Sequence, residues 1–164
     1  MKRVSKENQV YCYTMEGSSC LFADERDKKH LLDLVEEVRQ RDGWSLYAFC
    51  VMDDTAYFVI GSAQIDRAVR GLRSAILKQL EQSVYVQNRG NTSVKLSGHT
   101  KKLGTFVQVA DCCREIHRIP LREGYVSSLE DYWWSSYPAY AGVLGGEYVS
   151  PRLLFLYNNN DKNN

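Results

Sequence analysis

No stretch of the 164 residues reaches the roughly 18 consecutive apolar residues of a membrane-crossing helix, so none is expected. The opening residues, MKRVSKENQV, are basic but lack an apolar core. A secretory leader is therefore not expected, and the chain reads as cytoplasmic. Close pairs of metal ligands are also lacking. Cys12, Cys20, Cys50, Cys112 and Cys113 show no CxxC spacing, and His30, His99 and His117 are scattered. Free reduced thiols and no structural metal site are the expectation. Charge of either sign is not in large excess, since the net is +1.

Apolar residues make up 44% and charged residues 25%, the balance of a soluble globular protein. The length suits one domain, taken as residues 1–157, followed by a disordered polar tail at 158–164. The charge is unevenly spread. Residues 61–105 hold 8 Lys/Arg against 2 Asp/Glu, whereas 1–60 hold 8 against 11 and 106–164 hold 5 against 7. A basic block of this kind fits a polyanion partner or a solvated face.

Gln9–Met15 (QVYCYTM) is rich in β-branched and aromatic residues and predicts a first strand. A helix follows over about 25–41. Asp24 is its N-cap, Leu31, Leu34, Val35 and Val38 form its apolar stripe, Gly43 is its C′ residue, and its other face is charged. Ser45–Met52 and Ala56–Ser62 predict an antiparallel hairpin around Asp53-Asp54. Thr55 and Tyr57 stand two apart at the start of its second strand and so share one face. Ile65, Val69, Leu72, Ile76 and Leu80 predict a second helix, despite a cost of about 1 kcal/mol for Gly71. Val84–Val86 reads as a fourth strand or a helix end, and 87–104 as a long polar loop. A third helix is expected over Phe106–Ile119, stopped by Pro120. Ser127–Tyr132 has the pattern of a capping box, and Ser150-Pro151 opens a last short helix. The order predicts an α+β domain: a ferredoxin-like or RRM-like antiparallel sheet packed with helices, plus C-terminal helical segments.

Three blocks carry a family resemblance. YAFCVMDDTAYFVI, residues 47–60, resembles the A-Y-x-x-M-P-N-H-x-H-L-L segment of the single-tyrosine HUH transposases, with the REP-associated tyrosine transposases as the nearest branch. IHRIPLREG, residues 116–124, resembles the family's Y-I-x-x-N-P-V-R-A-G run, and DYWWSSY, residues 131–137, its D-Y-x-W-S-S-Y. Phe22 with its following helix suits the family's opening section, and 150–157 its last helix. The resemblance implies DNA transposition chemistry. A histidine pair and a polar helix residue hold a divalent metal, and a tyrosine attacks a phosphate of single-stranded DNA beside a hairpin.

In this sequence the matched positions hold other residues. The histidine pair falls on Thr55 and Tyr57, the nucleophile on Glu115 and the third ligand on Ile119. A neutral hydroxyl, a phenol with a pKa of about 10 and an isoleucine are poor partners for a divalent ion. Asp53 and Asp54 carry carboxylates but read as solvated turn residues. No catalytic residue and no cofactor is therefore expected, with Mg²⁺ or Mn²⁺ relevant only to residual activity through another tyrosine. The expected role is a catalytically defective protein that binds single-stranded or hairpin DNA. Arg67, Arg70, Arg73, Lys78, Arg89, Lys95, His99, Lys101 and Lys102 are the candidate phosphate contacts, and Tyr85 a candidate stacking surface. The family's L-W-x-G-R segment is blurred here to VKLSGHTKK. The alternatives are a protein–protein or regulatory module on the same scaffold, and residual metal-dependent strand cleavage. A homodimer is left open.

Overall fold

The computed structural model describes residues 9–89 and 94–141, without the side chains of Gln87 and Arg89. Strand β1 (Gln9–Gly17) is followed by helix α1 (Glu25–Asp42), strands β2 (Ser45–Val51) and β3 (Thr55–Ser62), and helix α2 (Ile65–Leu80). The short helix α3 (Val84–Arg89) leads to strand β4 (Leu96–Leu103) and helix α4 (Phe106–Arg122). The described part closes with a 3₁₀ turn at Leu129–Asp131 and the single-turn helix α5 (Tyr137–Tyr140). The four strands form one antiparallel sheet in the order β2-β3-β1-β4. With α1 and α2 as crossovers this is the ferredoxin-like β-α-β-β-α-β arrangement, as the sequence predicts.

Alternation along the strands assigns the two faces. Tyr13, Met15, Ala56, Phe58 and Ile60 pack under α1 and α2, against Leu31, Val35, Val38, Leu72 and Ile76. Val10, Ala48, Cys50, Val59 and Leu103 pack under α4, against Val109, Cys113, Ile116 and Ile119. Asp24 caps α1 by accepting from the Arg26 N–H at 2.8 Å, and Gly43 ends it with φ 74°. Gly71 lets α2 approach the end of α1, because a Cβ there would stand 2.7 Å from Asp42 Oδ2.

Three sequence readings are corrected and one left open is decided. The long polar loop at 87–104 contains β4. This strand lies at the sheet edge with only Leu96 and Leu103 buried, so residues 97–102 show no hydrophobic alternation. Of the two readings left open for Val84–Val86 the helical one holds, because the buried Asp27 carboxylate accepts from the Val84 and Tyr85 N–H groups at 3.0 and 3.1 Å. Tyr85 is buried in the α1/α2 core and offers no stacking surface. Pro120 does not stop α4, which runs on to Arg122. The stop is Gly124, at φ 77°. The N–H of Gly124 bonds Leu121 O and that of Tyr125 bonds Pro120 O, the two bonds of a Schellman motif. PLREG is thus a helix-ending device. The last helix expected at Ser150-Pro151 and the polar tail lie outside the described residues.

DYWWSSY lies along the outer strand. The Val51 N–H bonds Trp134 O at 2.8 Å and the Ser136 N–H bonds Phe49 O at 3.0 Å, so the segment covers the free edge of β2. Tyr132 and Tyr140 donate their phenols to Val51 O and Tyr47 O, each at 2.6 Å. Ser136 Oγ accepts from the Phe49 N–H at 2.9 Å and lies 2.7 Å from His117 Nε2 on α4. His117 is fully buried, and burial lowers its pKa to about 3. The unfolded chain therefore takes up this proton first, below about pH 6.5, while the folded chain resists it down to about 3. Stability is expected to fall by roughly 1.4 kcal/mol per pH unit in that window from this residue alone. His117→Gln, which keeps a hydrogen-bonding group toward Ser136, should show a slope shallower by about that amount in urea unfolding at two pH values inside that window, about 5.5 and 4.5. Equal slopes for the two proteins would refute the assignment.

Candidate functional site

The sheet face under α4 has two full cross-strand rows. One runs Cys50, Tyr57, Thr14, His99, and the next Ala48, Val59, Cys12, Lys101. Helix α4 covers the β2 and β3 ends of these rows. Toward β4 the face opens into a cleft of about 490 Å³ lined by Cys12, Thr14, Tyr57, His99, Lys101, Lys102, Glu115, Ile119 and Arg122. Tyr57, Glu115 and Ile119, which the sequence places far apart, therefore meet at one site. Thr55 shares the strand face of Tyr57 one row further on, opposite Glu16.

The donors at these positions do not fit a divalent ion. Thr55 donates its hydroxyl to Asp54 Oδ1 at 3.1 Å. Burial pushes the Tyr57 phenol up from its ordinary value, and the nearby Cys50, Asp54, Glu123 and Glu16 act in the same direction, so it stays neutral. Ile119 has no donor atom. Among the described residues, no group of three or more His, Cys, Asp or Glu side chains is placed to hold a metal. Glu115 is exposed, 3.7 Å from the Arg122 guanidinium, and so puts a carboxylate on the α4 wall of the cleft.

Of the Asp53-Asp54 turn, Asp54 is exposed as expected, whereas Asp53 is not simply solvated. Asp53 Oδ1 accepts from Lys28 Nζ at 2.7 Å, and that ammonium also bonds Phe22 O at 2.6 Å and Ala23 O at 3.3 Å. The Lys28 side chain is 5% exposed, so the charged face expected for α1 is interrupted by a buried cation. Asp53 O and Asp54 O accept from the Phe22 and Gly17 N–H groups, each at 2.8 Å. Two-residue hairpin loops favour positive φ, and among the described residues only glycines have it. These tertiary bonds hold the turn in its less favoured form. Partial burial and the nearby Asp53 carboxylate push the Tyr125 phenol up to about 12, although the residue remains exposed.

The predicted basic residues divide into groups. Arg70 and Arg73 line a second groove, of about 440 Å³, with Tyr13, Asp66, Val69, Gly98, His99 and Thr100 on the α2 side of β4. Lys101 and Lys102 line the α4 cleft, and His99 lines both. Edge strand β4 is thus flanked by cationic side chains on both faces. Gly98 is required there, since a Cβ would stand 2.7 Å from Thr14 O. Arg67 and Lys78 lie on the other flank of α2, the flank of Gly71, where the charge of Arg67 acts on Asp42 together with the stronger pairing from Arg41. Lys95 is exposed at the far end of β4, its backbone paired with Ser18. The side chain of Arg89 lies outside the described residues. Arg122 was missed as a site residue, although its spacing of seven from Glu115 and three from Ile119 puts all three on one helix face.

No protein-family model and no curated protein matches the sequence. Solved structures do match it. A REP-associated tyrosine transposase bound to a REP hairpin superposes with a TM-score of 0.63 at 11% identity, over 87% of this chain and 84% of that one. A transposase-like protein from Deinococcus radiodurans R1 gives 0.44 at 20% identity, over 59% of this chain and 85% of that one. The likeness is one of fold. The α+β architecture that the order of elements predicts is therefore the one found, and it is the fold of the transposase that superposes.

Lys28 holds the hairpin that presents β3 to this cleft. Lys28→Met leaves the Asp53 carboxylate and two carbonyls without their charged donor. A loss of roughly 1.5–3 kcal/mol is expected in urea unfolding. Lys29→Met, whose pair with Asp33 is exposed on the same helix, should cost under about 1 kcal/mol. Equal costs would show that the buried ammonium does not hold the turn.

Proposed function

We propose that this chain is a transposase-like protein that binds single-stranded or hairpin DNA along its β4 edge and does not cut it. The observation that carries this reading is the convergence of Arg70, Arg73, His99, Lys101 and Lys102 on the two sides of one exposed edge strand. Cations on both faces of a ridge neutralise phosphates on either side of it, which suits a strand or a hairpin stem lying along the edge. The hairpin bound by the solved transposase supports a hairpin as the first ligand to test.

The loss of cleavage follows from the donors at the matched positions. Strand cleavage by a tyrosine needs a phenol that becomes a phenolate and positive charge on the scissile phosphate. Glu115 supplies no phenol, and Thr55, Tyr57 and Ile119 supply no metal. The Tyr57 phenol in the cleft is held neutral, and Glu115 opposes an approaching phosphate. DNA is therefore gripped at the β4 edge rather than drawn onto α4.

A protein partner is the second reading. It is favoured by Leu121, Tyr125 and Trp133, which are 44%, 46% and 58% exposed.

Fluorescence anisotropy with a hairpin-bearing single-stranded oligonucleotide tests the first reading. Affinity near 10⁻⁴–10⁻⁶ M with a steep salt dependence is expected. Arg70→Ala, Arg73→Ala and Lys101→Ala should each weaken binding about equally across sequences and reduce the salt slope by about 1. Arg67→Ala and Lys78→Ala, on the other flank of α2, should change neither. Absence of binding at about 50 mM salt would overturn the reading in favour of a protein partner.

A further inference from the structure

The cleft under α4 has two unlike walls. On the β4 side stand His99, Lys101 and Lys102, and on the α4 side Glu115 and Arg122. A carboxylate repels phosphate, so Glu115 has no part in holding the backbone of a bound strand. Glu115 and Arg122 lie about two helical turns apart, and both are exposed. Arg122 Nη1 stands 3.7 Å from Glu115 Oε2, beyond the roughly 2.7–3.2 Å of an N–H···O hydrogen bond. The pair therefore attracts without consuming its donors and acceptors, which stay open to a ligand in the cleft. The half-buried Tyr57 ring and the Ile119 side chain line the same space. Its volume of about 490 Å³ falls within the roughly 300–1,000 Å³ of small-molecule sites.

We propose that this cleft takes one unpaired guanine of the bound DNA strand, with Glu115 and Arg122 as the residues that select it. The inference rests on the nucleic-acid reading and adds a base preference to it. The Watson–Crick edge of guanine presents two adjacent donors, N2–H and N1–H, followed by the O6 acceptor. The Glu115 carboxylate offers two acceptor oxygens, and the Arg122 guanidinium beside it offers a donor. Acceptor, acceptor, donor is the order in which cytosine meets guanine in a base pair. The other bases match it poorly. Adenine and cytosine each set one amino donor beside a ring-nitrogen acceptor, which would face a carboxylate oxygen. Thymine has a single N3–H between two carbonyl oxygens. The Tyr57 ring gives the base an aromatic surface to stack on. Phosphates thus stay on the cationic β4 side while one base crosses to α4.

The test is fluorescence anisotropy of the full chain with a hairpin-bearing single strand whose unpaired arm is all thymine. In sister strands one guanine replaces each thymine in turn. At the position that reaches the cleft, guanine should bind about 5-fold tighter or more, the discrimination of a bidentate base contact. Inosine, which lacks the N2 amino group, should lose most of that gain. The salt slopes of the thymine and guanine strands should be equal, because no phosphate contact is added. Glu115→Gln, an exposed substitution that turns one acceptor into a donor, should bring the guanine strand to the affinity of the all-thymine strand. Equal binding of every strand would overturn this inference and leave the nucleic-acid reading standing, whereas no binding of any strand would overturn both. A guanine preference that survives Glu115→Gln would overturn the role of Glu115. GMP alone binding as tightly as the guanine strand would overturn the claim that the strand delivers the base.

Discussion

One helix cannot cover a four-stranded sheet face, and the candidate site follows from that limit. A helix with its side chains is about 10–12 Å across, while four strands about 4.8 Å apart span a wider face once their own side chains are added. The other face has two helices and closes over Tyr13, Met15, Phe58 and Ile60. Under α4 the β2 and β3 side is sealed by Val109, Cys113 and Ile116, and the outer edge of β2 by the segment through Trp134 and Ser136. What is left open lies toward β4, where Thr14, His99, Lys101 and Cys12 look into the cleft. Polar residues occupy these positions because the helix does not reach them.

The parts of the fold that bury a stripe were legible in the sequence. Leu31, Val35 and Val38 mark α1, Leu72 and Ile76 mark α2, and the hairpin strands stand on either side of Asp53-Asp54. Strand β4 was not legible, because a strand exposed on both faces leaves no apolar alternation and only Leu96 and Leu103 mark its ends. Helix α3 depends on Asp27, whose carboxylate reaches it from 57 residues earlier in the chain, so no local pattern announces it. Lys28 was read as surface for the same reason. Its partners, Asp53 and the Phe22 carbonyl, are brought to it by the fold.

The three sequence blocks turn out to differ in kind. IHRIPLREG and DYWWSSY are mainly architectural. One ends α4 through Gly124, and the other seals β2 and holds the buried His117. YAFCVMDDTAYFVI carries Thr55 and Tyr57, the residues that the resemblance matches to a metal-binding pair, and Glu115 and Ile119 meet Tyr57 from α4. The family resemblance grouped these positions, and the folded chain brings Tyr57, Glu115 and Ile119 to one cleft. The candidate DNA contacts were harder to sort. Charge density picked out Arg67, Arg70, Arg73, Lys78, Lys101 and Lys102 together. Only the packing of α2 on α1 separates Arg67 and Lys78 from the residues beside β4.

The proposed function is a grip on nucleic acid without strand cleavage, on a fold like that of a transposase. Its most direct test is a labelled hairpin-bearing single strand incubated with the protein and Mn²⁺, then divided between a native and a denaturing gel. A shifted complex on the native gel with an intact, protein-free strand on the denaturing gel is the predicted result. A covalent protein–DNA band, or a shortened strand that requires the protein, would contradict it.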